Sequence, residues 1–203
     1  MRVWIICSGE AKAELPKRCA IAEYSVLREH ALDGGVLGTP RRVAANGRAV
    51  YCSPRLSARE TAELSVTGAK AEIEPLLDEL PFPTDGKGRV RPLWLWRFLL
   101  WLRRLLGIGR AEERERADAL IDRLEKRGGD CILISHPLMI AALIDALRLR
   151  GYCVQRTGIG RIKPFEQMLL SRRDEHCGGC QHNCLLSNPG CNIGRDKAAR
   201  LKR

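Results

Sequence analysis

Apolar residues in this chain come in short bursts separated by charged stretches with helical spacing. Arg2 to Cys7 (R-V-W-I-I-C) is a β-rich run that stops at Ser8-Gly9, which predicts a buried strand followed by a loop. Ala20 to Leu32 has helical spacing and is closed by Gly34-Gly35. Arg48 to Cys52 reads as a second strand, and Ser53-Pro54 leads into a helix over Ser57 to Leu64. Pro81 to Pro92, rich in Pro, Gly and charge, predicts a surface loop. Leu93 to Leu106 places Trp94, Leu95, Phe98, Leu99, Trp101, Leu102 and Leu105 on a broad apolar face. A core-packed helix is the leading expectation there, with a pocket lid or a membrane-surface helix as alternatives. Glu112 to Lys126 is a charged amphipathic helix ending at Gly128-Gly129. Cys131 to Ser135 (C-I-L-I-S) is a buried strand, and His136-Pro137 opens a helix running to Arg150. Tyr152 to Arg156 and Gln167 to Leu170 are further short strands. Strands alternating with helices predict a layered α/β sheet, and no internal repeat is apparent.

Composition narrows the class. In 203 residues, 45% are hydrophobic and 29% charged, enough to close a core, so disorder and coiled coil are poor readings. No apolar run reaches the roughly 18 residues of a membrane span, because Arg97, Arg103 and Arg104 interrupt the longest. Val3 to Cys7 is too short for a signal-peptide core, and the expected location is the cytoplasm. The net charge of +11 admits nucleic acid, acidic lipid or phosphorylated ligands as partners without choosing among them. Aromatic residues make up only 5% and do not alternate with basic ones, so no stacking surface for single strands is apparent. Of nine cysteines, Cys7, Cys19, Cys52, Cys131 and Cys153 are scattered, while Cys177, Cys180, Cys184 and Cys191 crowd together near the end.

Three segments, in this order, resemble the histidine phosphatase (phosphoglycerate mutase-like) superfamily. I-C-S-G-E at Ile6 to Glu10 is similar to that family's strand followed by Arg-His-Gly-Glu. V-Y-C-S-P-R-L-S-A-R-E-T-A-E at Val50 to Glu63 is similar to its Ser-Ser-Pro-Leu-x-Arg-Ala-x-x-Thr-Ala-Glu helix start, and C-I-L-I-S-H at Cys131 to His136 to its later strand ending in Ser-His. The resemblance covers residues 1–170. It implies a three-layer sandwich with a mostly parallel central sheet flanked by helices and a pocket at the carboxyl ends of the strands. In the family that pocket holds two Arg and two His around a phosphoryl group; one His attacks phosphorus, and a carboxylic acid protonates the leaving oxygen.

This chain departs from that pattern at three positions. Cys7 matches the first Arg, Ser8 the attacking His, and Ser57 the second Arg. His136 matches the second His; Glu10 follows the first motif, and Glu79 in L-L-D-E-L lies near the region of the family's acid. A transferring phosphoryl group spreads negative charge over its oxygens, so fixed cationic donors supply much of the catalysis. Losing one such donor typically costs roughly 3–4 kcal/mol of transition-state stabilisation, and here two are replaced together with the nucleophile. Arg55 and Arg59 are nearby cations, but neighbours one or two positions away point elsewhere on a helix. Two rescues are open: Ser8 with His136 and Glu10 or Glu79 as orienting acid, or a Cys7 thiolate with His136.

The last segment, residues 171–203, reads as a separate cysteine-rich module. Its Cys-x2-Cys-x3-Cys-x6-Cys spacing over Cys177, Cys180, Cys184 and Cys191, with glycines and Pro189-Gly190 for tight turns, argues for a bound metal centre in a cytosolic chain. The short inner separation favours a [4Fe–4S] cluster over zinc, whose knuckles usually stand further apart. His176 and His182 read as loop residues, since four cysteines complete a set. The basic end, with Arg195, Lys197, Arg200, Lys202 and Arg203, reads as a solvated helix, with a nucleic-acid clamp not favoured.

Whether the chain is an enzyme is left open by these residues. The leading expectation is a ligand- or redox-sensing protein on a degenerate phosphatase fold, with a phosphorylated small molecule or a redox protein as partner. The alternatives are an active phosphohydrolase or esterase using Ser8 or Cys7 with His136, and an iron–sulfur redox or interaction protein.

Overall fold

The computed structural model describes residues 1–12, 16–80, 90–105, 110–156, 161–172, 186 and 189–201. In chain order the main elements are β1 (Arg2–Cys7), α1 (Ile21–Leu32), β2 (Ala49–Cys52), α2 (Leu56–Ser65), β3 (Glu72–Ile73), a 3-10 turn at Pro75–Leu77, α3 (Leu93–Leu105), α4 (Arg110–Arg127), β4 (Cys131–Ser135), α5 (Pro137–Leu149), β5 (Tyr152–Arg156), β6 (Gln167–Arg172) and α6 (Asn192–Leu201). The last strand therefore runs slightly past residue 170.

Six strands form one sheet in the order β5-β6-β1-β4-β2-β3. The pairings of β1 with β4, β4 with β2 and β2 with β3 are parallel, while β6 lies antiparallel to β1 and to β5. Register sets Cys7 opposite Ser135 and Ile134 opposite Cys52, so three neighbouring parallel strands end nearly level.

All five residues of β4 are buried, as expected for a central strand covered on both faces. The two-residue side-chain period divides the core. Val3, Ile5, Cys7, Tyr51 and Leu133 face Leu120 and Ile121 of α4 and Met139, Ile140 and Leu143 of α5. Ile6, Val50, Cys52, Ile132 and Ile134 face Ala58 and Ala62 of α2. These are the helix–sheet–helix layers expected from the sequence. A third cluster, Cys19, Ile21, Tyr24 and Trp96, fastens α3 to α1, and the Trp96 indole N–H donates to the Cys19 carbonyl at 2.9 Å. Of the predicted loop 81–92, residues 81–89 lie outside the described residues, and Arg91–Pro92 form a short ladder with Arg18–Cys19. Among the described residues no helix is long and apolar enough to cross a membrane.

Candidate functional site

Each of three parallel strands is followed by a polar residue: Ser8 after β1, His136 after β4 and Ser53 after β2. Sheet order puts β4 between the other two, so the imidazole lies between the two hydroxyls. Ser8 Oγ is 2.9 Å from His136 Nδ1, and Ser53 Oγ is 3.1 Å from His136 Nε2. All three residues are buried, His136 completely. Burial lowers the His136 pKa from its usual value; Glu79 and Asp78 oppose that shift, and Arg28 and Arg55 add to it. The ring is therefore neutral at neutral pH, with one N–H and one bare nitrogen, so one serine donates to it and the other accepts.

The backbone around Ser8 is committed as well. The Cys7 N–H donates to Glu166 O at 2.9 Å and the Ser8 N–H to Ser135 O at 2.8 Å. The Gly9 N–H donates to Thr61 Oγ1 at 2.9 Å, and that hydroxyl donates to Ser57 O at 2.6 Å. None of these three N–H groups remains to receive an oxyanion. Phe165, at φ +57°, seats its ring against Gly9: a Cβ there would lie 2.4 Å from the ring. Glycine at position 9 is thus required by a close approach, and the phenyl group covers the chain next to Ser8. Phe165 had no signal in the sequence beyond a neighbouring proline.

The other positions matched to the resemblance fall into different settings. Cys7 points into the core shared with α4 and α5; burial first, then the charges of Glu79 and Glu166 against that of Arg161, push its thiol up to about 12. It is a protonated thiol at neutral pH. Ser57 is buried in the first turn of α2, and its hydroxyl has no hydrogen-bond partner among the described residues. Glu10 is exposed in a short ladder with Leu37. Glu79 is buried and touches Arg28 Nη2 at 2.6 Å and the Met139 N–H at 3.2 Å, so it caps the start of α5 instead of orienting the histidine.

Nearby guanidinium groups are also engaged. Arg55 binds Asp78 at 2.9 Å and Asp33 at 3.0 Å, and Arg116 donates to the carbonyls of Pro75, Leu76 and Asp78. With Arg28, Asp78 and Glu79 they line a pocket of about 190 Å³, and the charges of Arg28, Arg55, Asp78 and Glu79 also act on the His136 ring. Arg59 is exposed on α2.

Of the cysteine module, Cys177, Cys180 and Cys184, with His176 and His182, lie outside the described residues. Cys191 precedes α6, and its Sγ accepts the Gly194 N–H at 3.4 Å. Among the described residues no group of three or more His, Cys, Asp or Glu side chains is arranged to hold a metal ion.

No protein-family model matches the chain, and no curated protein does. Solved structures do. TTHB049 from Thermus thermophilus matches at 19% identity and TM-score 0.52, covering 83% of this chain and 89% of that one. A mutant phosphoserine phosphatase from Entamoeba histolytica, in complex with phosphoserine, matches at 15% identity and TM-score 0.50, covering 73% of this chain and 80% of that one. A phosphoglycerate mutase from Thermus thermophilus matches at 17% identity and TM-score 0.48, covering 83% and 92%. Together with the strand order and layers described above, the likenesses to TTHB049 and to the phosphoserine phosphatase show that this chain shares their α/β fold.

Proposed function

We propose that this protein binds or senses a ligand and does not carry out phosphohistidine chemistry. The observation that carries this reading is the Ser8–His136–Ser53 bridge. Where the resemblance expects the attacking imidazole stands Ser8, and the ring matched to the second histidine, His136, is neutral with both nitrogens engaged by the hydroxyls of Ser8 and Ser53. Arg28 and Arg55, whose charges act on that ring, are paired with Glu79, Asp78 and Asp33. A cluster of hydroxyls and one neutral imidazole offers far less to a spreading phosphoryl charge than free guanidinium forks. The esterase alternative through Ser8 draws little support, since no carboxylate is seen orienting His136 among the described residues and the local N–H groups are in use. Cys7 is a poor thiolate because of its burial.

The ligand class remains the one the sequence suggests, a small phosphorylated molecule or a redox partner. Residues 171–203 act in this reading as a metal module, with Cys177, Cys180, Cys184 and Cys191 holding a [4Fe–4S] cluster in preference to zinc. The support is their spacing, together with a sulfur at Cys191 that a helix-terminal N–H positions.

One preparation tests both parts. Protein made without oxygen should carry iron and sulfide, and should turn over neither p-nitrophenyl phosphate nor p-nitrophenyl acetate above buffer. Turnover that disappears in Ser8→Ala and His136→Ala would establish an enzyme and sink the sensing reading. Zinc without iron would remove the cluster.

A further inference from the structure

One face of α1, carrying Ser25, Arg28, Glu29 and Leu32, forms a wall of the 190 Å³ pocket. Arg55, the segment from Asp78 to Leu80, and Arg116 of α4 form the rest. Most of the charge there is neutralised internally. Arg28 binds Glu79 at 2.6 Å, and Arg55 binds Asp78 at 2.9 Å and Asp33 at 3.0 Å.

Two ionic groups of opposite sign are left over. Arg116 donates from Nε and Nη2 to backbone carbonyls, and its Nη1 has no hydrogen-bond partner among the described residues. Carbonyls accept hydrogen bonds but carry no net charge, so this half-buried guanidinium lacks a counter-ion there. Glu29 has no ion-pair partner among the described residues, and the two groups do not bridge each other. An anion such as phosphate would answer Arg116 but meet the Glu29 carboxylate. A ligand carrying both signs answers each group, since a guanidinium fork matches a carboxylate and Glu29 accepts from an ammonium. Leu32 and the buried Leu80 add an apolar wall. The volume lies below the roughly 300–1,000 Å³ of sites for drug-sized molecules, so the occupant is small. We propose that this pocket binds a small zwitterionic amino acid, its carboxylate on Arg116 and its ammonium on Glu29. This ligand is additional to the one proposed above, and ester turnover, which would sink that reading, would leave this one standing.

The test is calorimetric titration of the full chain at neutral pH with glycine, L-alanine, L-leucine, β-alanine and 4-aminobutyrate. Propionate, ethylamine and inorganic phosphate are the probes of single sign. At least one amino acid should bind, and each single-sign probe should bind about tenfold or more weakly than it. Glu29→Gln and Arg116→Gln should each weaken amino-acid binding about tenfold or more. Glu29 is exposed, so its variant reads the site even if Arg116→Gln, deprived of its carbonyl contacts, fails to fold. The proposal is overturned if no amino acid binds, if phosphate or propionate binds as tightly as the best of them, or if Glu29→Gln leaves the affinity unchanged.

Discussion

His136 is neutral because it is buried, and this has a consequence for stability. Histidine in an unfolded chain titrates near 6.5, and the folded protein holds His136 below that value. Between the two values the unfolded chain binds a proton that the native state refuses. The stability that neutral His136 contributes is therefore fully present above about pH 6.5 and is lost as pH falls through the folded value. Urea unfolding should show the wild type losing stability between about pH 7 and about pH 5. His136→Gln, weaker at neutral pH, should lose less over the same range; equal slopes would refute the assignment. Ser57 makes the opposite kind of prediction. Its buried hydroxyl has no partner among the described residues, so Ser57→Ala removes a desolvated group and should raise stability by about 1 kcal/mol in urea titration. A loss of that size would mean that the hydroxyl has a bound partner in solution. That Cys7, Ser8 and Ser57 stand where the resemblance expects Arg, His and Arg was legible from the motif. Their surroundings were not, because the partners of Ser8 and Cys7 come from distant strands and helices.

At the scale of elements, the start of α5 depends on a residue far away in sequence. His136 occupies the N-cap but makes no side-chain cap, since its ring is turned to Ser8 and Ser53, and Pro137 has no N–H to offer. Glu79 supplies the missing acceptor at the Met139 N–H while holding Arg28. Glu79→Gln keeps an acceptor for the Met139 N–H but removes the carboxylate charge that Arg28 binds, and should cost about 1–3 kcal/mol in urea unfolding; Glu79→Ala should cost more. Neutral behaviour in both would show that the cap is dispensable. Strands such as Cys131–Ser135 were read from sequence at their true bounds because a fully buried strand is a continuous apolar run. Glu72–Ile73 carried too few residues to show any period. Helix α3 was legible as apolar and helical, but not as anchored through Trp96 and left open at Trp94.

For the whole molecule, local sequence determined the alternation of strands and helices, the apolar faces that stack them into three layers, and the presence of Cys7, Ser8 and Ser57 where the resemblance expects guanidinium and imidazole. Those features are carried by neighbouring residues and by short periods, which a single chain displays directly. Only the tertiary structure decided that β4 lies between β1 and β2, so that one imidazole bridges two serines, that Cys7 turns into the core, and that Glu79 serves a helix end. The physical reason is that sheet order differs from chain order. Hydrogen bonds act over about 3 Å, and the groups that share them here are separated by 60 to 128 residues of chain.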